Sequence, residues 1–88
     1  MIWVESLVWD DWNRNHIKKH KVTIREIEEA CRGKIKSFKS YKRRLIVLGK
    51  TKKERFLTIL LAPKKERFYY VVTARDMSRK ERRLFQND

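Results

Sequence analysis

Three runs, Arg44-Leu-Ile-Val-Leu48, Phe56-Leu-Thr-Ile-Leu-Leu61 and Phe68-Tyr-Tyr-Val-Val-Thr-Ala74, decide the fold of this chain. Each is rich in β-branched, aromatic and aliphatic residues, which suit a pleated surface. The polar stretches Gly49-Lys-Thr-Lys-Lys-Glu54 and Pro63-Lys-Lys-Glu66 separate them. Connections this short join antiparallel neighbours, because a parallel crossover needs a dozen or more residues. The first strand runs through Arg44–Leu48, with Ile35 as its earliest start. The middle strand is apolar on both faces apart from Thr58, so both of its faces are expected to be covered.

Outward from this meander the pattern changes period. Residues 2–9, Ile-Trp-Val-Glu-Ser-Leu-Val-Trp, read as a short strand. Asp10 and Asp11 offer an N-cap for a helix running to about His20. Thr23-Ile-Arg-Glu26 has the form of a capping box and opens a second helix. Its apolar face holds Ile24, Ile27 and Cys31, and Gly33 is a natural stop. Ser78-Arg-Lys-Glu81 is another capping box; the helix it starts should bury Met77, Leu84 and Phe85 and expose Arg79, Lys80, Arg82 and Arg83. The expected architecture is α+β: a small antiparallel sheet of about four strands, two N-terminal helices and one C-terminal helix, in one domain over residues 1–88.

The 88 residues include 24 Lys and Arg against 11 Asp and Glu, a formal charge of +13. A soluble small domain needs a net charge of only about 2–8, so the excess points to a polyanionic partner. No basic amphipathic helix with a continuous apolar face is visible, which disfavours a membrane surface. The single cysteine, Cys31, excludes an internal disulfide. Met1 leads directly into Ile2-Trp3-Val4, without a charged leader or a long apolar run. A cytoplasmic location is expected on these grounds.

Four chemistries compete for the charged and aromatic residues. His16 and His20 stand four apart, a spacing that zinc sites use on helices. No Glu follows His16 and a third ligand is not evident, so no metal or other cofactor is expected. The two N-terminal helices resemble a helix-turn-helix in spacing, but the second carries Glu26, Glu28 and Glu29, which DNA phosphates would repel. A metal-independent ribonuclease needs only to orient the substrate's own 2′-hydroxyl, move protons and neutralise the phosphoryl oxygens. Lys19 and His20 at the end of the first helix, Arg55 opening a strand, and Thr73-Ala74-Arg75 closing the last one could serve it. Thr73 and Arg75 are two apart and project from the same face. Arg44 and the last helix's Arg79, Arg82 and Arg83 are candidates for holding RNA. The fourth reading is a non-catalytic RNA-binding module, with Phe68, Tyr69 and Tyr70 as stacking surfaces; alternate rings of that strand would also fill a core.

In their order and spacing, Trp9-Asp10, Asn15, Lys19-His20-x-Val22, Arg44-Leu-Ile-Val-Leu-Gly49-Lys-Thr, Arg55-Phe-Leu-Thr58, Thr73-Ala-Arg75 and Ser78-x-Lys-Glu81-Arg resemble the BrnT-type toxins. The resemblance spans roughly residues 9–85. It implies a RelE-like fold and a ribonuclease that is the toxin half of a type II toxin–antitoxin pair. The partner it implies is a co-expressed antitoxin, acidic and usually with a DNA-binding domain, forming a hetero-oligomer. Carried over, the active-site positions are Lys19, Arg55, Thr73 and Arg75, with His20 as a further candidate. Arg75 and Arg55 would clamp the scissile phosphate, Lys19 would add charge or shuttle a proton, and Thr73 would bond the phosphate or orient Arg75. The expected products are a 2′,3′-cyclic phosphate and a 5′-hydroxyl. Two positions depart from the family: Lys21 stands where it usually has Gly, and Asp76 adds a carboxylate beside Arg75.

Overall fold

The computed structural model describes residues 4–87. The chain runs β1 (Ser6–Val8), α1 (Asp11–Lys18), α2 (Ile24–Arg32), β2 (Lys36–Lys39), β3 (Leu45–Lys50), β4 (Phe56–Lys65), β5 (Phe68–Asp76) and α3 (Arg79–Gln86). The α+β class and the helix order agree with the sequence. The strand expected over residues 2–9 is shorter, and its Ile2 and Trp3 lie outside the described residues.

The sheet differs from expectation in two ways. It has five strands, ordered β1-β5-β4-β3-β2, and it is mixed rather than antiparallel. Strand β1 pairs parallel with β5, Leu7 opposite Tyr69. Connection length could not decide this pairing, because both helices intervene between β1 and β2. The fifth strand arises where a single strand from Ile35 onward breaks into a hairpin. Lys42 and Arg43 both take left-handed φ, near 60°, and the Arg44 N–H donates to the Tyr41 carbonyl at 3.3 Å. Two left-handed central residues are the geometry of the tight type I′ hairpin turn. Arg44 therefore belongs to the turn, and β3 begins at Leu45.

The local start signals hold. Asp10 caps α1, with Asn13 completing the box, and Thr23–Glu26 and Ser78–Glu81 cap α2 and α3 as read. Asn13 is fully buried; its amide donates to the Val8 carbonyl at 2.9 Å and the Val71 carbonyl at 3.0 Å, tying α1 to both parallel strands. After α1 the chain turns through Lys21 at φ 57°, so a lysine makes the left-handed turn where glycine would be unstrained. The left-handed conformation costs a residue with a side chain roughly 1–2 kcal/mol, partly offset by the roughly 0.5–1 kcal/mol of unfolded-chain entropy that glycine adds. Lys21→Gly is therefore expected to stabilise the protein by about 0.5–1 kcal/mol, seen as a higher thermal midpoint.

Helices α1 and α2 cover one face of the sheet. Ile17, Val22, Ile27, Ala30 and Cys31 pack against Val47, Leu57, Ile59, Leu61, Val71 and Ala74 in one buried cluster. Leu57, Ile59 and Leu61 are completely buried, each contributing about 2 kcal/mol by apolar burial. Burial pushes the Cys31 thiol up to about 12, so it behaves as a core residue. Helix α3 lies on the opposite face, which accounts for a central strand apolar on both sides. It docks mainly through polar groups: none of its residues is fully buried, and Leu84, expected in the core, is 47% exposed. Phe85 meets Phe56 edge to face at 6.0 Å. The Lys36 ammonium holds the Leu84 carbonyl at 2.7 Å and also donates to that of Asn87.

A bulge decides which way the end of β5 points. Val71 pairs with Leu61 and Thr73 with Leu60, leaving Val72 as the extra residue. Val71 and Ala74 consequently both face the α1/α2 core although they are three apart. Strict alternation from Val71 would have buried Thr73 and Arg75 under α1 and α2. The bulge turns them to the α3 face, a re-aiming that bulges commonly achieve beside functional sites.

Candidate functional site

The proposed cations gather at one end of the sheet but on opposite faces. Arg55 precedes Phe56 and turns toward the junction of α1 and α2. Its Nε donates to Asp76 Oδ1 at 2.8 Å and its Nη2 to Asp76 Oδ2 at 3.3 Å. Its Nη1 donates to the Lys21 carbonyl at 2.8 Å and to the Glu26 carboxylate at 3.0 and 3.1 Å. A longer bond, 3.4 Å, runs from Nη2 to the His20 carbonyl. A guanidinium has five N–H groups, and here all five are engaged.

This network has clear electrostatic consequences. The Asp76 bond, then the Glu26 bond, pushes the Arg55 pKa further above its ordinary value. The same Arg55 bond holds the Asp76 carboxyl below its usual range, helped by the nearby His20. Burial pushes the Glu26 carboxyl up, but the Thr23 N–H and Arg55 outweigh it and the net shift is downward. Arg55 thus stitches the α1–α2 turn, the start of α2 and the end of β5 together. It brings His20 and Asp76 near one another; Lys19, the C-cap of α1, is exposed beside them.

Arg75 is built differently. Its Nη1 and Nη2 grip the two oxygens of Glu81 at 2.7 and 2.8 Å, and Nη1 also donates to the Asp76 carbonyl at 3.1 Å. Glu81 in turn accepts from the Thr58 hydroxyl at 2.9 Å and from the Ser78 N–H at 2.8 Å. The Arg75 bond, with these two added, holds the Glu81 carboxyl down at about 2. A carboxylate ionised at all ordinary pH is an orienting group for Arg75, not a proton acceptor. Nε and one N–H of Nη2 are left without a partner among the described residues. These two donors form one edge of the guanidinium fork, the edge that takes a phosphate through two parallel bonds. The side chain is 46% exposed.

Thr73 projects from the same face as Arg75, one ladder step inward, opposite Leu60. Of the cations proposed to hold RNA, Arg79, Arg82 and Arg83 are exposed on α3, with the Arg82 guanidinium 4.3 Å from the centre of the Phe56 ring. Arg44 is half-buried in the hairpin turn. His16 stacks on Trp12 at 4.7 Å and meets His20 edge to face at 6.1 Å, so the two imidazoles belong to an aromatic stack along α1. Helix α2 packs on the sheet, and its acidic residues are used internally: Glu28 accepts from the Trp9 indole, Glu29 pairs with Arg25 and Glu26 with Arg55.

Glu81 is the residue that motif reading missed as part of the site. Its place in the capping box was visible, but its second role depends on α3 docking over β5. The carboxylate that Asp76 adds beside Arg75 goes to Arg55 instead, and Asp76 meets Arg75 only through its backbone carbonyl. No helix among the described residues is long and apolar enough to cross a membrane. No protein-family model, curated protein or solved structure matches this chain.

Proposed function

We propose that this protein is a metal-independent ribonuclease of the toxin type, with a RelE-like fold, working on the α3 face of its sheet. The observation that carries the reading is the free Nε/Nη2 edge of Arg75. An arginine pinned end-on by an ionised Glu81 and open side-on is pre-organised for a phosphate, and its charge would oppose that developing on the phosphoryl oxygens. Thr73 stands beside it on the same face, and the α3 cations flank it. In this reading Arg55 is a positioning residue that fixes the α1–α2 turn, and with it Lys19 and His20, against the end of β5. Those two stand at the same end of the sheet but on its other face, so either moves the 2′-hydroxyl proton only for a substrate that passes round that end. The substrate's own oxygen attacks the phosphorus and the 5′-oxygen departs with a proton, leaving a 2′,3′-cyclic phosphate and a 5′-hydroxyl. The partner proposed to hold the toxin silent is an acidic antitoxin with a DNA-binding domain, bound as a hetero-oligomer in the cytoplasm.

A second reading, a basic RNA-binding protein without catalysis, is favoured by one observation: the donors of Arg55 are saturated, so the two-arginine clamp is not open. One experiment separates the two. Purified protein is incubated with cellular RNA in excess EDTA and the new ends are analysed. Cyclic-phosphate and 5′-hydroxyl ends are expected. RNA retained but intact would select the binding reading, and cleavage lost on chelation would overturn the metal-free mechanism.

A further inference from the structure

The row of side chains beyond α3 is unlike an ordinary solvated sheet. Phe38, Ile46, Leu60 and Thr73 are direct cross-strand partners on β2, β3, β4 and β5. They share a face with the next row, Lys36, Leu48, Thr58 and Arg75, because a strand repeats its faces every second residue. Helix α3 is anchored over that second row, through Lys36 and through Glu81. The first row is left partly open: Phe38 is 42% exposed, and Ile46, Leu60 and Thr73 are half-buried. On its other side stands the tip of the β2–β3 hairpin, where Tyr41 is 82% exposed. Lys39, Lys42, Arg43 and Arg44 surround that ring in the sequence.

The charge of this stretch of chain is of one sign. From Arg32 to Lys53 the chain holds ten Lys and Arg and no Asp or Glu. Lysines on an edge strand are by themselves an ordinary guard against edge-to-edge pairing. An exposed Phe38 and Tyr41 between them work against that purpose. The turn that presents Tyr41 is also strained, with two consecutive non-glycine residues in the left-handed region. Strain of that kind, of order 1–3 kcal/mol per residue, is concentrated at functional sites.

We propose that the open sheet face between the hairpin tip and α3 is a track for single-stranded RNA, in which Tyr41 and Phe38 stack bases while Lys42, Arg43 and Arg44 hold phosphates. The proposal rests on the reading of the α3 face as RNA-facing and gives it a substrate form and a direction. Aromatic faces beside a positive groove bind unpaired strands because every base has a stackable face. A duplex hides those faces, so it would lose the stacking and retain only the phosphate contacts. The row leads from Phe38 at the open edge across the sheet to Thr73, next to Arg75. A strand entering at the hairpin would therefore arrive at the free guanidinium edge.

The test is fluorescence anisotropy with a labelled 2′-O-methyl oligouridylate, which cannot be cut by 2′-hydroxyl attack, and with a 2′-O-methyl duplex of the same length. The single strand is expected to bind more tightly than the duplex. Tyr41→Ala and Phe38→Ala should each weaken the single strand about tenfold and leave duplex binding nearly unchanged; the thermal midpoint should hold in Tyr41→Ala, whose ring is 82% exposed, and Tyr41→Trp should restore affinity. The proposal is overturned if both alanine variants bind like the parent protein, if the duplex binds as well as the single strand, or if neither ligand binds. Because the ligand is uncleavable, these outcomes stand apart from the EDTA cleavage assay. Cleavage by a protein indifferent to Tyr41 and Phe38 would sink the track and leave the ribonuclease reading in place.

Discussion

Arg75→Ala is expected to lower RNA cleavage by roughly 10²–10³-fold, the usual loss when one pre-organised donor to a developing oxyanion is removed. Arg75→Lys should recover only part of it, since an ammonium cannot supply the Nε/Nη2 pair. The size of the effect separates chemistry from stability. The Arg75–Glu81 pair is nearly half exposed on the arginine side, and pairs of that kind contribute no more than about 1 kcal/mol. The protein should therefore stay folded at room temperature while activity collapses. A second readout follows from Glu81. Its carboxyl lies at about 2 because of Arg75, below the ordinary unfolded value of about 4.3. The stabilisation from this linkage is present above the unfolded value and fades as pH falls toward 2. In Arg75→Ala the Glu81 carboxyl should climb back toward the ordinary range, held down only by Thr58 and the Ser78 N–H, and carboxyl NMR shifts followed through a titration would show it. A variant that keeps full activity while the Glu81 titration moves would remove Arg75 from the reaction and leave it a docking role for α3.

What the chain declares locally and what it does not divide along physical lines. The three N-caps, two of them as capping boxes, were legible because a cap signal spans at most four residues and needs no distant partner. The run Phe56–Leu61, apolar on both faces, announced a strand covered on both sides. Features that depend on distant partners stayed hidden. The Tyr41–Arg44 turn carries no Gly, Asn or Asp to mark it, so one long strand was expected where two pair. Strand β1 reaches β5 across nearly the whole chain, and Asn13, outwardly a polar helix residue, is the buried tie between them. The extra residue at Val72 has no local signature, yet it sets the face from which Arg75 acts. Arg55 and Arg75 looked equivalent as cations at strand ends. What distinguishes them is where carboxylates arrive: Glu26 and Asp76 saturate one, while Glu81 takes only one edge of the other.

Gly49→Ala is expected to destabilise the protein by about 2–3 kcal/mol, at the upper end of what overpacking costs. A methyl group at position 49 would stand 2.8 Å from the Ala30 carbonyl oxygen and 3.3 Å from its carbon, with Ile35 Cγ2 also at 3.3 Å. The obstacle is helix backbone, which cannot rotate away as a side-chain tip could. To admit the methyl, α2 must lift from β3 at the place where Ala30, itself fully buried, sets their separation. Ala30→Gly should therefore give no rescue: it removes a methyl group that is not the source of the clash and weakens the helix by about 1 kcal/mol. Urea midpoints of the parent, the two single variants and the double variant would decide it. A Gly49→Ala protein within 0.5 kcal/mol of the parent, roughly the scatter of a surface substitution, would mean that α2 is not seated on β3 as described. The consequence for function is asymmetric. Lifting α2 disturbs Glu26 and the Arg55 network on one face, whereas Arg75, Thr73 and α3 lie on the other. Cleavage per folded molecule should fall only as far as Lys19 and His20 are needed, so the residual activity of Gly49→Ala measures how much of the chemistry crosses the sheet.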